Sequence, residues 1–412
     1  MIHDKIFKKS LLFGSALFLF FLFIFNFPVE AKLKNQKEFQ KQMKSFKEFY
    51  IKTLQDNGIV GSSFVFLHDN ELFAQEFYGL ANKEQNRPVD KDTIYHWASI
   101  TKTFCGIAVM QLRDRGLLKL DDPITEYIPE LKMVHNPFGN MDDITIRHLM
   151  CHSGGFRSPT WPYDDNDTKP WYPHEPLHWE QLVAMFPYTE IFFMPGTKWQ
   201  YSNLGTIFLG RVIELLTTDD WEVYIDKNIF KPLEMYRSYF DHTPYHLMKH
   251  KAQSYNLIND ELTPADPDVN TGITVSNGGL KCPFGDFIKY VNFLMGDPEK
   301  QAIYDMVLKR SSLEEMWQPQ IPIENRDKDF PGENRKDAMG LNYFIEDNFN
   351  QHFIGHSGGQ NAFITHFYLQ PDTKTAYIVG FNTLATGNGK STRDADRLIK
   401  EYLFKNVFPL FQ

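Results

Sequence analysis

The stretch Ser-Ile-Thr-Lys at residues 99–102 decides how this sequence is interpreted, because it places a hydroxyl and an amine three residues apart. An extended-looking segment, residues 93–98, precedes it, and residues 104–112 carry apolar side chains at helical spacing. Since residues i and i+3 are neighbours on a helix, Lys102 Nζ is expected to reach Ser99 Oγ. A serine needs an adjacent base to act as a nucleophile, and burial lowers the pKa of a lysine toward neutrality. The alternative is a helix-capping serine beside a solvated lysine.

Two further motifs lie where polar side chains can be exposed. Residues 201–203 (Tyr-Ser-Asn) precede an apolar run at residues 204–216, which predicts a loop that enters a helix. Residues 356–359 (His-Ser-Gly-Gly) lie beside segments typical of a β-strand, and glycines there let a backbone or a ligand approach closely. Taken singly, the first motif is also consistent with a loop hydrogen-bond pair and the second with a β-bulge.

In this order, the three motifs S-x-x-K, Y-x-N and H-x-G resemble those of the serine β-lactamase and penicillin-binding-protein superfamily. The resemblance is to the branch of class C β-lactamases, D-alanyl-D-alanine carboxypeptidases, D-aminopeptidases and serine esterases, and it extends over residues 40–405. Further segments similar to the family lie at residues 78–93, 144–150, 195–196 and 278–280. The third motif begins with His356, where the β-lactamases have the lysine of Lys-Thr-Gly. This departure argues against penicillin hydrolysis more than against serine acyl chemistry.

The pattern along the chain predicts an α+β fold. An amphipathic helix is expected at residues 36–56 and a β-hairpin at residues 60–77, and helical patterns dominate residues 99–294. Later strands are expected at residues 339–345, 353–355, 362–369 and 375–382, with a closing helix at residues 393–404. Strands at both ends predict one antiparallel sheet, completed by both termini and flanked by helices, with a mainly helical region inserted.

This α/β sandwich is also the β-lactamase/transpeptidase-like architecture that the resemblance implies. We expect residues 32–95 and 335–412 to form the sheet domain, and residues 96–334 to form the mainly helical region with the nucleophile helix.

The first 31 residues are predicted to be a targeting segment. Three lysines precede an almost wholly apolar run at residues 11–25, and residues 29–31 offer a small-x-small cleavage site. This pattern predicts a signal peptide on residues 1–31 and therefore a secreted or periplasmic protein. The alternative is an uncleaved anchor at residues 11–27, which would be the chain's single membrane contact.

Composition excludes other classes of protein. The formal net charge is −9 and no basic stripe is present, which argues against nucleic-acid binding. Cys105, Cys151 and Cys282 are too few and too scattered for a disulfide scaffold, and at most one pair can bridge. His148 and His152 could share a helical face as metal ligands, but no H-E-x-x-H glutamate separates them, so no metal site is predicted.

The resemblance implies a role for each motif residue. Ser99 is the nucleophile, Lys102 takes its proton or holds the group that does, and Tyr201 is the second proton carrier. Which of Lys102 and Tyr201 is the primary base stays open. Asn203 is expected to donate or accept a hydrogen bond with Lys102 and the substrate amide. His356 is expected to orient Tyr201 or, when protonated, to contact a substrate carboxylate.

The resemblance also implies an oxyanion hole formed by the backbone N–H groups of Ser99 and Gly359. Ser357 and Gly358 are expected to contact substrate, and no metal or organic cofactor is required. The aromatic and acidic segment at residues 156–179, with Trp161 and Tyr163, is expected to line or cover a substrate cleft. A surface loop packed by its own aromatic side chains is the alternative for this segment.

The sequence therefore predicts a secreted serine hydrolase that forms an acyl-enzyme on a small-molecule or peptide substrate, with cell-wall-derived compounds among the candidates. The substrate would be an amide, a D-amino-acid peptide or an ester. The rival is a penicillin-binding sensor or a non-catalytic binding protein on the same fold. The sequence does not separate peptidase, β-lactamase and esterase, and it leaves the oligomeric state open.

Overall fold

The computed structural model describes residues 36–158, 160, 176–265, 270–324 and 334–412. The predicted signal or anchor, and the predicted substrate contacts Trp161 and Tyr163, lie outside the described residues. Within the described ranges, no helix has both the length and the apolar character needed to cross a membrane.

The helices of the described residues occur mostly in the middle of the sequence and at its two ends. They are α1 (Gln36–Asp56), α2 (Thr101–Asp114), α3 (Ile124–Tyr127), α4 (Ile146–Met150), α5 (Trp179–Val183), α6 (Asn203–Thr217), α7 (Trp221–Ile225), α8 (Val275–Gly278), α9 (Phe284–Met295), α10 (Gln301–Val307), α11 (Arg310–Met316) and α12 (Thr392–Asn406).

The strands lie chiefly before residue 97 and after residue 320. They are β1 (Gly61–His68), β2 (Glu71–Asn82), β3 (Arg87–Pro88), β4 (Ile94–His96), β5 (Tyr239–Phe240), β6 (Tyr255–Ile258), β7 (Glu261–Pro264), β8 (Leu280–Pro283), β9 (Ile321–Pro322), β10 (Lys336–Met339), β11 (Phe344–Asn348), β12 (Gln351–Gln360), β13 (Phe363–Gln370), β14 (Thr375–Phe381), β15 (Thr383–Gly387) and β16 (Lys390–Ser391).

The main sheet has nine strands in the order β3-β2-β1-β14-β13-β12-β11-β10-β9. Strand β1 from the start of the chain pairs antiparallel with β14 from its end, in a register that runs from Ser62 opposite Phe381 to His68 opposite Thr375. The predicted antiparallel sheet, completed by both ends of the chain, is therefore confirmed. Two smaller sheets, β16-β15-β6-β7 and β4-β8-β5, flank it.

Helices cover both faces of the main sheet, because apolar side chains emerge from both. On one face the terminal helices α1 and α12 pack over aromatic rings, and Phe404 of α12 stacks on Phe353 with ring centroids 3.5 Å apart. On the other face α9 packs, where the rings of Phe287 and Phe367 have centroids 5.5 Å apart, and Phe104 of α2 stacks on Tyr290 of α9 at 4.1 Å. Helix α2, which begins just after Ser99, therefore lies among the helices of the inserted region and contacts α9, which packs on the sheet.

One predicted strand is wrong. Instead of a continuous strand over residues 339–345, residues 340–343 form a hairpin turn that joins the end of β10 to the start of β11. Asn342 has a left-handed backbone with φ of +63°, and the Gly340 N–H donates to the Tyr343 carbonyl at 2.9 Å. Gly340 and Asn342 favour a tight turn, and this preference outweighs the strand tendency of the apolar residues around them. Strand β9 also joins the main sheet, although it precedes residue 335, where the second part of the sheet domain was expected to begin. The division of the chain into two domains stays a prediction.

Candidate active site

Ser99 lies in a short 3₁₀ turn, Ala98–Ile100, between strand β4 and helix α2. Ala98 has φ of +49°, which is uncommon for a residue other than glycine and turns the chain sharply before the serine. Neither the 3₁₀ turn nor α2 has a side-chain cap, so the helix-capping alternative for Ser99 is wrong. The side chain is partly exposed at the head of a buried helix, which leaves its hydroxyl accessible.

Lys102 lies one turn below Ser99 and is completely buried. Its Nζ is 3.2 Å from Ser99 Oγ and donates to the carbonyl oxygen of Asn277 at 2.7 Å. Burial lowers the pKa of Lys102 to about 7, which is the direction expected from the sequence and excludes the solvated alternative. A neutral amine can direct its lone pair at the hydroxyl while an N–H bonds the carbonyl.

Tyr201 reaches the same point from a different element. The side chain of Ser202 caps α6 by accepting from the Gly205 N–H at 3.2 Å, which places Tyr201 just before the helix. The Tyr201 ring centroid lies 4.9 Å from Lys102 Nζ. The ring also packs against a small apolar cluster that includes Met339. The structure thus brings together Ser99, Lys102 and Tyr201, although Tyr201 lies 99 positions after Lys102 in the sequence.

The expected bond between Asn203 and Lys102 is absent among the described residues. Asn203 begins α6 and its backbone N–H donates to the Ser158 carbonyl at 3.1 Å, whereas its side-chain oxygen is buried and has no hydrogen-bond partner in the described ranges. The carbonyl of Asn277 takes the place next to Lys102 instead. This carbonyl is available because the last carbonyl groups of a helix, here α8, have no partner within it.

A buried histidine that the sequence analysis did not single out holds α8 in place. His96 Nε2 donates to the Gly278 carbonyl at 2.6 Å, and burial, with a smaller effect of the nearby Lys281 charge, lowers the pKa of His96 to about 3. The Leu280 N–H donates to Thr101 Oγ1 at 3.0 Å, which ties the end of α8 to α2. The carbonyl that contacts Lys102 is therefore held in place by residues on both sides of the turn that carries Ser99.

His356 lies in the middle of β12 and has no exposed surface. Its Nδ1 donates to the Ser357 carbonyl at 2.7 Å, and its ring lies 4.6 Å from the ring of Phe344. Among the described strands, β11 pairs with β12 only as far as Gly355. From His356 onward, the edge of β12 that faces β11 therefore makes no ladder with that strand. The expected contact of His356 with a substrate carboxylate stays a prediction.

Gly358 lets β12 run directly against the turn that carries Ser99. A Cβ atom at Gly358 would lie 2.1 Å from the Trp97 carbonyl oxygen and 2.7 Å from Thr365 Oγ1, which itself donates to that carbonyl at 3.2 Å. The next residue, Gly359, is exposed, so its backbone is accessible beside the turn that carries Ser99. This arrangement is compatible with the predicted oxyanion hole, whose assignment stays a prediction.

Ser357 points away from this edge. Successive side chains of a strand alternate between faces, and Ser357 pairs across the sheet with His366, whose Nδ1 lies 3.0 Å from Asp396 of α12. The Ser357 side chain therefore lies on the face of the sheet that α12 covers, and His356 and Gly358 lie on the other face. A substrate contact from Ser357 would have to come from its backbone.

The remaining singled-out residues have structural partners. Cys105, Cys151 and Cys282 are buried thiols and form no disulfide. His148 Nδ1 accepts from the Thr145 N–H at 3.3 Å and completes a capping box at the start of α4. No group of three or more metal-ligating side chains occurs within the described ranges.

Replacing Gly358 with alanine is expected to lower the free energy of unfolding by about 1–3 kcal/mol, because the added methyl group overlaps the Trp97 carbonyl. Thermal or denaturant unfolding measures this loss. Gly285→Ala is the control, since nothing lies within 4 Å of a Cβ there, and its stability should be unchanged or raised by about 0.5–1 kcal/mol. Equal stability of wild type and Gly358→Ala would contradict the close approach of β12 to the turn.

The nine-stranded sheet with its inserted helices, and the buried lysine beside the serine of the S-x-x-K turn, define the β-lactamase/transpeptidase class of fold. The β-lactamase family model matches residues 37–401, and the chain therefore belongs to the β-lactamase family.

Known relatives agree with this assignment. Protein Flp of Staphylococcus aureus is 26% identical over 326 residues, which is 79% of this chain and 60% of that protein. The chain thus spans about three fifths of the length of these curated relatives. The octameric penicillin-binding protein homologue from Pyrococcus abyssi shares the fold with a TM-score of 0.72 and 24% identity, over 88% of this chain and 77% of that chain. A class C β-lactamase gives a TM-score of 0.69 and 20% identity, over 91% and 98%.

Proposed function

We propose that the protein is a serine hydrolase that forms an acyl-enzyme through Ser99. The observation that carries the proposal is the buried Lys102 Nζ, 3.2 Å from Ser99 Oγ, with its pKa lowered to about 7. A general base is most effective when its pKa is near the working pH, and a solvent-exposed lysine at its ordinary pKa would be protonated. Membership of the β-lactamase family supports the same chemistry.

In the acylation step, the neutral amine of Lys102 accepts the proton of Ser99 while Oγ attacks the substrate carbonyl carbon. The ammonium group that forms has two sources of stabilisation, the Asn277 carbonyl at 2.7 Å and the face of the Tyr201 ring at 4.9 Å. Negative charge on the substrate oxygen is stabilised by the backbone N–H groups of Ser99 and Gly359.

In the second half of the reaction, the leaving group takes a proton from Lys102 or Tyr201, and water then attacks the acyl-enzyme. The phenol of Tyr201 is the second proton carrier because it lies against the amine that received the serine proton. The water proton passes to the Lys102–Tyr201 pair, the ester bond to Ser99 breaks, the acid product leaves and the pair returns that proton to Ser99 Oγ. This cycle needs no group beyond the residues named and water.

The substrate class that we propose is an amide, a D-amino-acid peptide or an ester, small or peptide-sized. His356 occupies the strand position where the class C motif has lysine, so the site presents a buried imidazole instead of a flexible point charge. We further propose that residues 1–31 direct the protein out of the cytoplasm, either as a cleaved signal or through an anchor at residues 11–27.

The test combines covalent labelling with recovery. A fluorescent fluorophosphonate and a fluorescent penicillin are incubated with the protein, excess probe is removed, and the bound label is followed with time. An enzyme that turns over its acyl-enzyme should lose the penicillin label, whereas a penicillin-binding sensor stays acylated. A panel of p-nitrophenyl esters, nitrocefin and D-Ala-D-Ala peptides then identifies the substrate class. Absence of Ser99 labelling by both probes would contradict the proposal.

A further inference from the structure

His152 lies where helix α4 ends, in a position that normally favours glycine. Its backbone is left-handed with φ of +55°, and the following Ser153 N–H donates back to the His148 carbonyl at 2.8 Å. This is the geometry of a helix C-terminal turn, in which glycine or asparagine is least strained. A histidine is therefore conformationally unfavourable here, and its side chain must be explained by what it contacts.

The contacts of His152 surround Tyr201 on both sides. The backbone N–H of Gln200 donates to the His152 carbonyl at 2.8 Å, and the backbone N–H of Ser202 donates to His152 Nδ1 at 3.2 Å. The imidazole lies against the Tyr201 ring, with centroids 4.5 Å apart and planes inclined by 35°. One residue thus holds the backbone before Tyr201, the backbone after it, and the ring itself.

The protonation state of His152 is set by these contacts. Nδ1 accepts from a backbone N–H, so the proton of the neutral ring is on Nε2. The side chain is 1% exposed, and burial, followed by the positive charge of Lys102, lowers the pKa of His152 to about 3. The ring is therefore neutral whenever the protein is folded near neutral pH, and it adds no charge that would oppose protonation of Lys102.

We propose that His152 is a positioning residue that fixes the phenol ring of Tyr201 beside Lys102 Nζ. This inference rests on the proposed function, because it assigns a purpose to Tyr201 in proton transfer. His152 does not touch the reacting atoms and acts through Tyr201 and the loop at residues 200–202. Small misplacements of a proton-transfer group reduce the rate strongly, so the expected effect is on turnover more than on substrate binding.

Two variants separate the ring from the backbone. His152→Gly relieves the left-handed backbone and removes both the ring and the acceptor. His152→Asn tolerates the same backbone and keeps an oxygen that can accept from the Ser202 N–H, while the ring contact is lost. The matched control is His148→Asn, in the preceding helix α4, where the amide oxygen can replace the acceptor for the Thr145 N–H.

The measurement is the burst and the steady-state rate of p-nitrophenyl acetate hydrolysis, with melting temperatures for every variant. We expect His152→Gly to lower the turnover rate by about 10- to 100-fold with little change in KM, and His152→Asn to recover part of that loss. His148→Asn should retain the wild-type rate.

A double-mutant cycle with Tyr201→Phe identifies the route of the effect. If His152 acts by positioning the phenol, His152→Gly should cause less than a further twofold loss in the Tyr201→Phe background. The same 10- to 100-fold loss in both backgrounds, a wild-type rate in His152→Gly, or an equal loss in His148→Asn would overturn the inference. A wild-type protein that shows no Ser99-dependent burst would instead overturn the proposed function, so the two failures are distinguishable.

Discussion

Ser99→Ala is expected to abolish covalent labelling by a fluorophosphonate and to lower hydrolysis by ~10⁴-fold or more, because a methyl group cannot form the acyl-enzyme. The fold should be retained. Ser99 is partly exposed and supplies no helix cap, so the free energy of unfolding should change by less than about 0.5 kcal/mol. Labelling gels, steady-state kinetics and thermal unfolding measure the three quantities.

A matched serine elsewhere controls for a loss caused by destabilisation. Ser312 of α11 donates to Asp114 at 2.6 Å and is buried, so Ser312→Ala removes a hydrogen bond without touching the site. It should cost about 0.5–1.5 kcal/mol of stability and keep full labelling. Labelling of Ser99→Ala at a rate near that of wild type would refute the nucleophile assignment.

The second large effect concerns the proton-transfer pair. Lys102→Ala and Tyr201→Phe should each slow acylation by about 10²–10⁴-fold, the range attributed to general acid–base catalysis. Because the amine lies 4.9 Å from the phenol ring, the two groups are expected to act as one unit, and the double variant should be little slower than either single variant. Single-turnover labelling kinetics of the four proteins measure this coupling.

Lys102→Arg is the informative control for this pair. A guanidinium stays charged throughout the working pH range and cannot accept the serine proton. The arginine therefore supplies a positive charge but no base, and acylation of Ser99 should stay slow. Strictly additive losses in the double variant would place one of the two residues outside the proton path. Near-wild-type labelling of Lys102→Arg would show that the charge of Lys102 matters and that its basicity does not.

The features that depend on local spacing could be predicted from the sequence. The three-residue spacing of Ser99 and Lys102 is sufficient to place an amine under a hydroxyl, whatever packs around them. The helices at both ends and the hairpin β1-β2 follow from their hydrophobic periodicity. The strands at both ends of the chain also predicted one antiparallel sheet. The order of its strands was not predicted, because alternation within a strand does not identify its partner.

Other features have no local signal. The group that contacts Lys102 is a backbone carbonyl, which every residue carries, so Asn277 could not be identified from its residue type. His152 was considered for its spacing from His148, whereas its contacts lie about 50 residues away in the loop before α6. The strand expected at residues 339–345 failed because Gly340 and Asn342 interrupt a short apolar run with a tight turn.

The most direct test of the central claim is the pH dependence of fluorophosphonate labelling in wild type, with the modified residue identified by mass spectrometry. The second-order rate constant reports the free protein, in which the pKa of Lys102 is about 7. Because only the neutral amine can accept the proton, the rate should fall about tenfold for each pH unit below 7 and level off above about pH 8. We predict a single adduct, on Ser99, with this profile. An adduct on another residue, or a Ser99 labelling rate that is the same at about pH 5 and pH 8, would contradict the account.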